Sequence, residues 1–315
     1  MRPSMHRRRA ARTILGSLVL AGVLAAGATP AFAARPSGHG GGGGGGGHGS
    51  VLTGNDVSYP QCGGSLPTSA AFGVVGLNDG LANNLNPCFG PSSSYPTYSQ
   101  SQLYWALAAT SGGTSQPKAS LYVNTGDPGN AYNGTPIADW PTSGSTPYGD
   151  CQTTTVSLSS GTYTLGSNSD ACAWQYGHDR ASQDVSWLAA AASALTSQQS
   201  AVAVPGSASA YPWWLDVETG NSWQSDTSMN VAVLQGMVAA LEGAGATRVG
   251  VYSTSSQWGS ITGGSQAGSL AGLPDWVPGA RTLSGAESNC ATASFTGGTV
   301  ALTQWFATPD GDYSC

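Results

Sequence analysis

The sequence predicts an α/β protein in which a parallel β-sheet closes into an irregular barrel. Short apolar runs alternate with longer segments of helical period, and several runs are apolar on both faces, as buried parallel strands are. A Gly/Pro/Ser/Thr-rich segment over residues 126–172 interrupts this alternation, and no helical period is visible after Tyr252. We therefore expect a (β/α) barrel whose helices are lacking in the last third, not eight regular repeats.

Five apolar runs are predicted strands and two periodic segments are predicted helices. In chain order the strands are 71–77, 119–124, 213–218, 248–253 and 299–305. Apolar residues recur at helical spacing over residues 181–195 and 231–241, and the second segment has Ser225 or Asp226 as its N-cap and Gly243 or Gly245 as its stop. Within the insertion at 126–172, "TTTVSLSSGTYTL" is typical of a β-hairpin.

The N-terminal region predicts export from the cell. A group of arginines precedes an apolar run from Ile14 to Ala28, and small residues end at Ala33, so residues 1–33 are a predicted signal peptide. The Gly-rich residues 34–50 are a predicted flexible tail, and residues 51–315 form a single predicted domain. Because no later segment has the roughly 18 apolar residues of a membrane span, we expect a secreted, extracellular protein without a membrane anchor.

The net charge argues against some classes of binding partner, and the cysteine content predicts disulfides. Residues 34–315 contain all 16 acidic residues against five basic ones, a net charge of −11, which disfavours nucleic acid and anionic lipid as partners. The six cysteines lack CxxC spacing, so in an oxidising compartment they predict disulfides and not a metal site. Six cysteines permit 15 pairings, of which we favour the neighbours in sequence: Cys62 with Cys88, Cys151 with Cys172, and Cys290 with Cys315.

Elimination leaves carboxylates as the groups that would move protons. The domain has one histidine, His178, and one lysine, Lys118, and it lacks G-x-S-x-G. It also lacks H-E-x-x-H, a P-loop and a G-x-G-x-x-G after a strand, so the usual markers of zinc hydrolysis, phosphoryl transfer and dinucleotide binding are missing. We expect no cofactor and no catalytic metal.

The motif "LDVE" places two acids on one predicted strand. Side chains alternate along a strand, so Asp216 and Glu218 point to the same face, which at the C-terminal end of a barrel strand is where active sites form. Burial and mutual repulsion would raise one pKa and leave a protonated acid beside an ionised partner, the arrangement that glycoside hydrolysis uses. The alternative is that the pair caps a loop or binds calcium with the oxygen atoms of "ETGNSW".

Four segments resemble the family 25 glycoside hydrolases, the lysozyme-like muramidases, in the order in which that family has them. They are "GNDVSYPQCG", "LDVE", "VGVYST" followed by "QW", and "LTQWFATPDGDYSC". The chain is also similar to secreted glycoside-hydrolase-like proteins of high-GC Gram-positive bacteria. The resemblance implies a flattened, TIM-like barrel whose helices are missing late in the chain. The Cys62–Cys88 pair and the 126–172 insertion depart from the family pattern.

The resemblance also implies roles for individual residues. Glu218 would be the general acid, Asp56 and Asp216 would orient substrate and stabilise positive charge, and Asp312, a better match than Asp310, would support the pocket. Aromatic residues near the acids or in the resembling segments are candidate substrate-binding residues: Tyr59, Trp214, Trp223, Tyr252 and Trp305.

The resulting hypothesis is a monomeric, secreted hydrolase of peptidoglycan-type polysaccharide. Two alternatives remain open at this point. One is a catalytically inactive barrel that binds envelope glycan, and the other is a structural exoprotein stabilised by calcium.

Overall fold

A computed structural model of the chain describes residues 53–111 and 114–315, and the predicted signal peptide and Gly-rich tail lie outside these residues. The described part contains fourteen β-strands and five α-helices. The strands are β1 (Thr53–Val57), β2 (Gly73–Gly76), β3 (Ala119–Asn124), β4 (Ala131–Tyr132), β5 (Thr135–Pro136), β6 (Ser145–Thr146), β7 (Gly149–Asp150), β8 (Thr153–Leu158), β9 (Gly161–Gly166), β10 (Trp213–Asp216), β11 (Val249–Tyr252), β12 (Asp275–Ala280), β13 (Val300–Trp305) and β14 (Gly311–Ser314). The helices are α1 (Gln102–Ala109), α2 (Asp170–Gln198), α3 (Thr227–Gly243), α4 (Ser255–Thr262) and α5 (Leu283–Asn289).

Eight of these strands form a closed barrel in the order β1-β14-β13-β12-β11-β10-β3-β2. All neighbouring pairs are parallel except those of β14, which pairs antiparallel with β13 on one side and with β1 on the other. A loop of only five residues joins β13 to β14, too short for the crossover that a parallel pair needs, so the chain turns back on itself. This last strand closes the barrel, and the predicted α/β fold class with an irregular barrel is confirmed.

The predicted elements mostly lie where the sequence pattern placed them. All five predicted strands are present, and α2 and α3 contain the two periodic segments, with Asp226 as the N-cap of α3 accepting from the Ser228 N–H. Strand β12 was not predicted because "DWVPGA" contains Pro and Gly, and it pairs with β13 through two register shifts. The last third has two short helices, α4 and α5, where we expected none. At eight and seven residues they complete only about two turns, too few to show a period.

Two apolar layers lie on either side of the barrel wall. Outside it, Trp213 and Leu215 of β10 are buried in the core that the helices cover. The two longest helices, α2 and α3, approach each other closely at Gly177 and Gly236, where an added Cβ would collide with the backbone of the facing helix. Inside it, a separate apolar cluster fills the barrel: Ala71, Phe72, Val74, Trp214, Trp276 and Leu302. The barrel is therefore a packed core and is open to ligands only at its ends.

The insertion between β3 and α2 consists of three short hairpins, β4–β5, β6–β7 and β8–β9, the last of which is the predicted hairpin. Trp140 of the insertion stacks on Tyr176 of α2, with ring centroids 5.3 Å apart. All three disulfides join the predicted partners: Cys62–Cys88, Cys151–Cys172 and Cys290–Cys315. Over residues 53–111 and 114–315, no helix has both the length and the apolar character that crossing a bilayer requires.

Candidate active site

A pocket of about 230 Å³ opens at the C-terminal ends of the barrel strands. It is lined by Asp56, Ser58, Pro60, Gln61, Tyr122, Asp216, Glu218, Tyr252, Trp276, Gln304 and Asp310. Three of the four acids predicted for the site, Asp56, Asp216 and Glu218, line it together. Their convergence follows from the barrel, because the carboxyl ends of parallel strands meet at one rim.

Asp216 and Glu218 enter the pocket from the end of β10. The strand ends at Asp216, so Glu218 lies in the following loop and not on the strand as predicted, but the Val217 N–H still donates to the Tyr252 carbonyl at 2.9 Å. This bond continues the extended pairing beyond the strand. Asp216 is only 7% exposed and Glu218 is half-buried.

Burial raises the pKa values of both carboxyls of this pair, and neighbouring charge adds to the effect on Asp216. Burial raises the pKa of Asp216 well above its usual value, and the charges of Glu218 and Asp56 raise it further. Burial also raises the pKa of Glu218, which Gln257 opposes. With its amide oriented to satisfy both neighbours, Asn124 donates to Asp216 Oδ2 at 3.0 Å and accepts from the Gly80 N–H at 3.2 Å. The pair therefore holds a proton at a pH where ordinary carboxyls are ionised, while the Asn124 amide stabilises negative charge on Asp216.

Asp56 is oriented by a hydrogen-bonded chain across the pocket. Tyr252 Oη donates to Gln304 Oε1 at 3.0 Å, and Gln304 Nε2 donates to Asp56 Oδ2 at 2.9 Å. Burial raises the pKa of Asp56 to about 7, against the lowering effect of the Gln304 bond. Asp56 consequently changes charge near neutral pH.

The fourth predicted acid, Asp312, lies behind the pocket and not in its lining. It is fully buried in β14, opposite Gln304 in the strand register. Burial and the charge of Asp56 raise its pKa well above the usual range, and the Trp276 indole opposes this. Asp310, the poorer match to the family motif, does line the pocket. Asp312 is thus placed to act on Asp56 and not on a bound molecule.

The candidate aromatic residues separate into one that lines the pocket and four that do not. Tyr252 lines it. The prediction that Trp214 binds substrate is wrong, because its side chain is only 3% exposed inside the barrel and its ring meets Trp276 edge to face. Trp214 lies on the same face of β10 as Asp216 but two residues deeper in the barrel. Trp223 packs on the outer core, and its indole N–H donates to the Glu218 carbonyl at 2.8 Å, so it anchors the acid-bearing loop.

The other two aromatic candidates lie beside the pocket. Tyr59 is 46% exposed, and its ring lies against Gly80. Trp305 lies on the same face of β13 as Thr303, whose hydroxyl bonds to α5 on the outside of the barrel, and its ring covers Gly311. Gln304, one residue earlier on β13, takes the inward position and lines the pocket.

Three residues that line the pocket were not predicted from the sequence: Tyr122, Trp276 and Gln304. Tyr122 and Trp276 meet edge to face with ring centroids 6.1 Å apart, and Tyr252 meets Trp276 at 4.6 Å, so three rings form one side of the pocket. The alternation Ser120, Tyr122, Asn124 along β3 was a usable signal for Tyr122, since polar side chains there share one face. Trp276 had no such signal because its strand was not predicted.

No site for a metal ion is evident in the described part of the chain. Over residues 53–111 and 114–315, no group of three or more His, Cys, Asp or Glu side chains is arranged to hold one.

The fold and the pocket define an α/β-barrel protein with a carboxylate-lined site at the C-terminal mouth of the barrel. Parts of the sequence are similar to known proteins. Residues 201–276, which include Asp216 and Glu218, match the family model "Lysozyme-like protein 1". Over 56 residues the chain is 45% identical to the probable GH family 25 lysozyme 4 of Dictyostelium discoideum and 46% identical to lysozyme 2. These two matches cover 18% of this chain and 25% and 26% of those relatives, respectively, so the chain matches about a quarter of their length.

Solved structures show a more distant similarity. The muramidase from Trichobolus zukalii is 15% identical, with 84% of this chain and 93% of that chain covered and a TM-score of 0.43. The lysozyme from Streptomyces coelicolor is 16% identical, with 85% and 93% covered and a TM-score of 0.42. The predicted resemblance to family 25 lysozymes is confirmed by the sequence matches. A closer relation to secreted proteins of high-GC Gram-positive bacteria stays a prediction.

Proposed function

We propose that this protein is a secreted glycoside hydrolase that acts on peptidoglycan-type polysaccharide through the carboxyl pair Asp216 and Glu218. The observation that carries the proposal is the position of this pair, with raised pKa values, in the open mouth of the barrel. The match to the family model "Lysozyme-like protein 1" includes this segment and supports the substrate class.

In the proposed mechanism Glu218 is the general acid. It lines the pocket, burial raises its pKa, and it donates a proton to the oxygen of the leaving sugar as the glycosidic bond breaks. A water molecule then adds to the sugar carbon and returns a proton to the carboxyl pair. Asp216, whose charge the Asn124 amide stabilises, lies beside the positive charge that develops on the remaining sugar. Asp56, held by Gln304, orients substrate from the end of β1, and Asp312 supports Asp56 from behind.

The remaining features of the proposal concern location and partners. Three disulfides are typical of an oxidising compartment, which supports an extracellular location. The proposed partner is a glycan. A chain with 16 acids and five bases in residues 34–315 would repel an anionic polymer, whereas a neutral glycan would not be repelled. We propose that the protein acts as a monomer.

The two alternative functions predict different experimental results. An inactive glycan-binding barrel would use its aromatic wall and not its acids, so it would bind substrate equally well without Glu218. A calcium-stabilised exoprotein would bind the ion through clustered oxygen atoms and would melt at a lower temperature when a chelator removes calcium.

The test is release of new reducing ends from purified peptidoglycan, with the products identified by mass. Glu218→Gln keeps the shape of the side chain and removes its transferable proton, so we expect the rate to fall by roughly 10²- to 10⁴-fold. Asp216→Asn should also slow cleavage, by removing the charge that stabilises the transition state. Glu287→Gln, at an exposed position on α5, is the matched control and should cleave at the wild-type rate. Hydrolysis by Glu218→Gln at the wild-type rate would show that the pair does not perform the chemistry.

A further inference from the structure

A second cavity, of about 340 Å³, adjoins the acid pair and is not part of the pocket described above. Its walls are the loops that follow β2, β3 and β10 (residues 80–83, 125, 126, 128 and 220–222), the first hairpin of the insertion, and Tyr176 of α2. We call it the side pocket. It begins two residues after Glu218, and the hydroxyl of Thr125 in its wall donates to the Asp216 carbonyl at 2.6 Å. The wall of the side pocket is therefore bonded directly to the backbone that carries the acids.

Hydrogen bonds between loops hold the side pocket open before any ligand binds. The Asp127 N–H donates to the Ser222 carbonyl at 2.7 Å, which ties the start of the insertion to the loop that follows Glu218. Asn83 donates to Asp139 Oδ2 at 3.0 Å, which ties the loop after β2 to the end of the first hairpin. A cavity whose walls are already connected loses little entropy when it is occupied, as a binding site requires.

The lining of the side pocket is aromatic, apolar and uncharged. Tyr132, at the end of β4 in the first hairpin, is 54% exposed and Leu81 is 59% exposed, so both present apolar surface beside the cavity. Tyr176, braced from behind by Trp140, contributes a second ring, and Ile137 an aliphatic wall. Among the described residues that line it, the polar groups are neutral amides and hydroxyls, and none is charged.

We propose that the side pocket binds a neutral, N-acetylated sugar residue of the glycan, at a position next to those that contact Asp216 and Glu218. This inference rests on the proposed function for its substrate class. The exposed Tyr132 ring offers a stacking surface for the apolar face of a sugar, the aliphatic side chains accept an acetamido methyl group, and the neutral amides serve hydroxyls. The residues come from the insertion, so this subsite depends on the segment in which the chain departs from the family pattern.

Charge decides between a sugar and the peptide branch of peptidoglycan. A peptide branch carries carboxylate and amino groups, which need opposite charges when they enter a partly apolar cavity. No charged side chain lines the side pocket, and residues 34–315 carry 16 acids against five bases, so an acidic branch would also be repelled. A neutral acetamido sugar meets neither obstacle.

The experiment measures binding and not cleavage, with chitin oligosaccharides of two to six sugars as probes. Glu218→Gln serves as the parent protein because it should not consume the probe, and calorimetry gives the affinity at each length. We expect affinity to rise by about five- to tenfold at the length that first bridges both pockets, the value of one aromatic stacking contact. Tyr132→Ala on this parent should lose that increment and keep the affinity for the shortest oligosaccharide that binds. Tyr148→Ala, an exposed tyrosine in the second hairpin that lines neither pocket, is the matched control and should keep the increment.

Each outcome separates the side pocket from the hydrolase proposal. A wild-type protein that cleaves no glycan but keeps the Tyr132-dependent increment leaves the side pocket correct and the hydrolase proposal wrong. Cleavage of peptidoglycan with no effect of Tyr132→Ala at any length gives the reverse. The inference is also overturned if no oligosaccharide binds, or if Tyr132→Ala weakens binding of a peptide-bearing muropeptide and leaves the chitin series unchanged.

Discussion

Asp127, at the start of the insertion, should reduce the stability of the folded protein at neutral and alkaline pH. It is fully buried, its Oδ1 accepts from the Gly129 N–H at 3.0 Å, and its Oδ2 has no hydrogen-bond partner. Burial raises its pKa from 3.8 to about 7, and the charges of Asp170 and Asp226 add to the effect. Asp127→Asn keeps an oxygen for Gly129 and removes the charge.

The sign and size of the effect follow from proton linkage. Between pH 3.8 and about 7 the unfolded chain has lost this proton and the folded protein retains it, so stability falls as the pH rises through this window. A rise in pKa from 3.8 to about 7 corresponds to about 4 kcal/mol, at 1.36 kcal/mol for each pH unit. The full cost is present above pH 7 and absent below pH 3.8.

Urea denaturation of wild type and Asp127→Asn, with the disulfides intact, measures this difference directly. Other buried acids titrate as well, but they are common to both proteins and cancel in the comparison. We expect the variant to match the wild type near pH 3.5 and to exceed it by about 4 kcal/mol at pH 8. Asp150→Asn, an exposed acid in the same insertion, should follow the wild type throughout. If the difference between Asp127→Asn and wild type is the same at both pH values, Asp127 is not a buried, strained carboxyl and the reasoning fails.

Three further predictions concern the site and the fold. Gln304→Leu removes the donor that lowers the pKa of Asp56, so the limb of the pH–rate profile that reports Asp56 should move above pH 7; an unmoved limb would contradict the hydrogen-bonded chain. Gln257→Leu removes the side-chain hydrogen bond that lowers the pKa of Glu218, so this pKa should rise and activity should persist to higher pH than in wild type, measured from pH 4 to 8; an unmoved limb would contradict this contact. Replacing the Cys290–Cys315 disulfide by two alanines opens a loop of about 25 residues and should cost about 3 kcal/mol in denaturation experiments, whereas unchanged stability would refute the entropic argument.

Local patterns in the sequence were sufficient for most elements of the barrel. A strand buried on both faces is a continuous apolar run and an amphipathic helix repeats every 3.6 residues, so both can be recognised without their partners. The favoured disulfide pairs are all present, and each joins cysteines only 21 to 26 residues apart in the sequence. Strand β14 and the irregular strand β12 were not predicted from the sequence, because their strand conformation comes from pairing during barrel closure and not from composition.

In the candidate site, too, some features could be predicted from the sequence and others depend on the tertiary structure. Alternation along β10 correctly placed Asp216 on the inward face, but it also placed Trp214 there and carried no information on depth. Only the packed barrel, filled at that level by Trp276 and Leu302, buries Trp214 and leaves Asp216 at the mouth.

The sequence by itself determined the types of most elements, and it indicated the partners of the disulfides and the acids of the candidate site, because each depends on residues close together in the chain. The tertiary structure decided which side chains converge on those acids. Tyr122, Gln304 and Asp56 come from strands up to 248 residues apart, and the raised pKa of Asp56 exists only where barrel closure removes water from around it. Burial and long-range neighbours are properties of the closed barrel, and no local pattern encodes them.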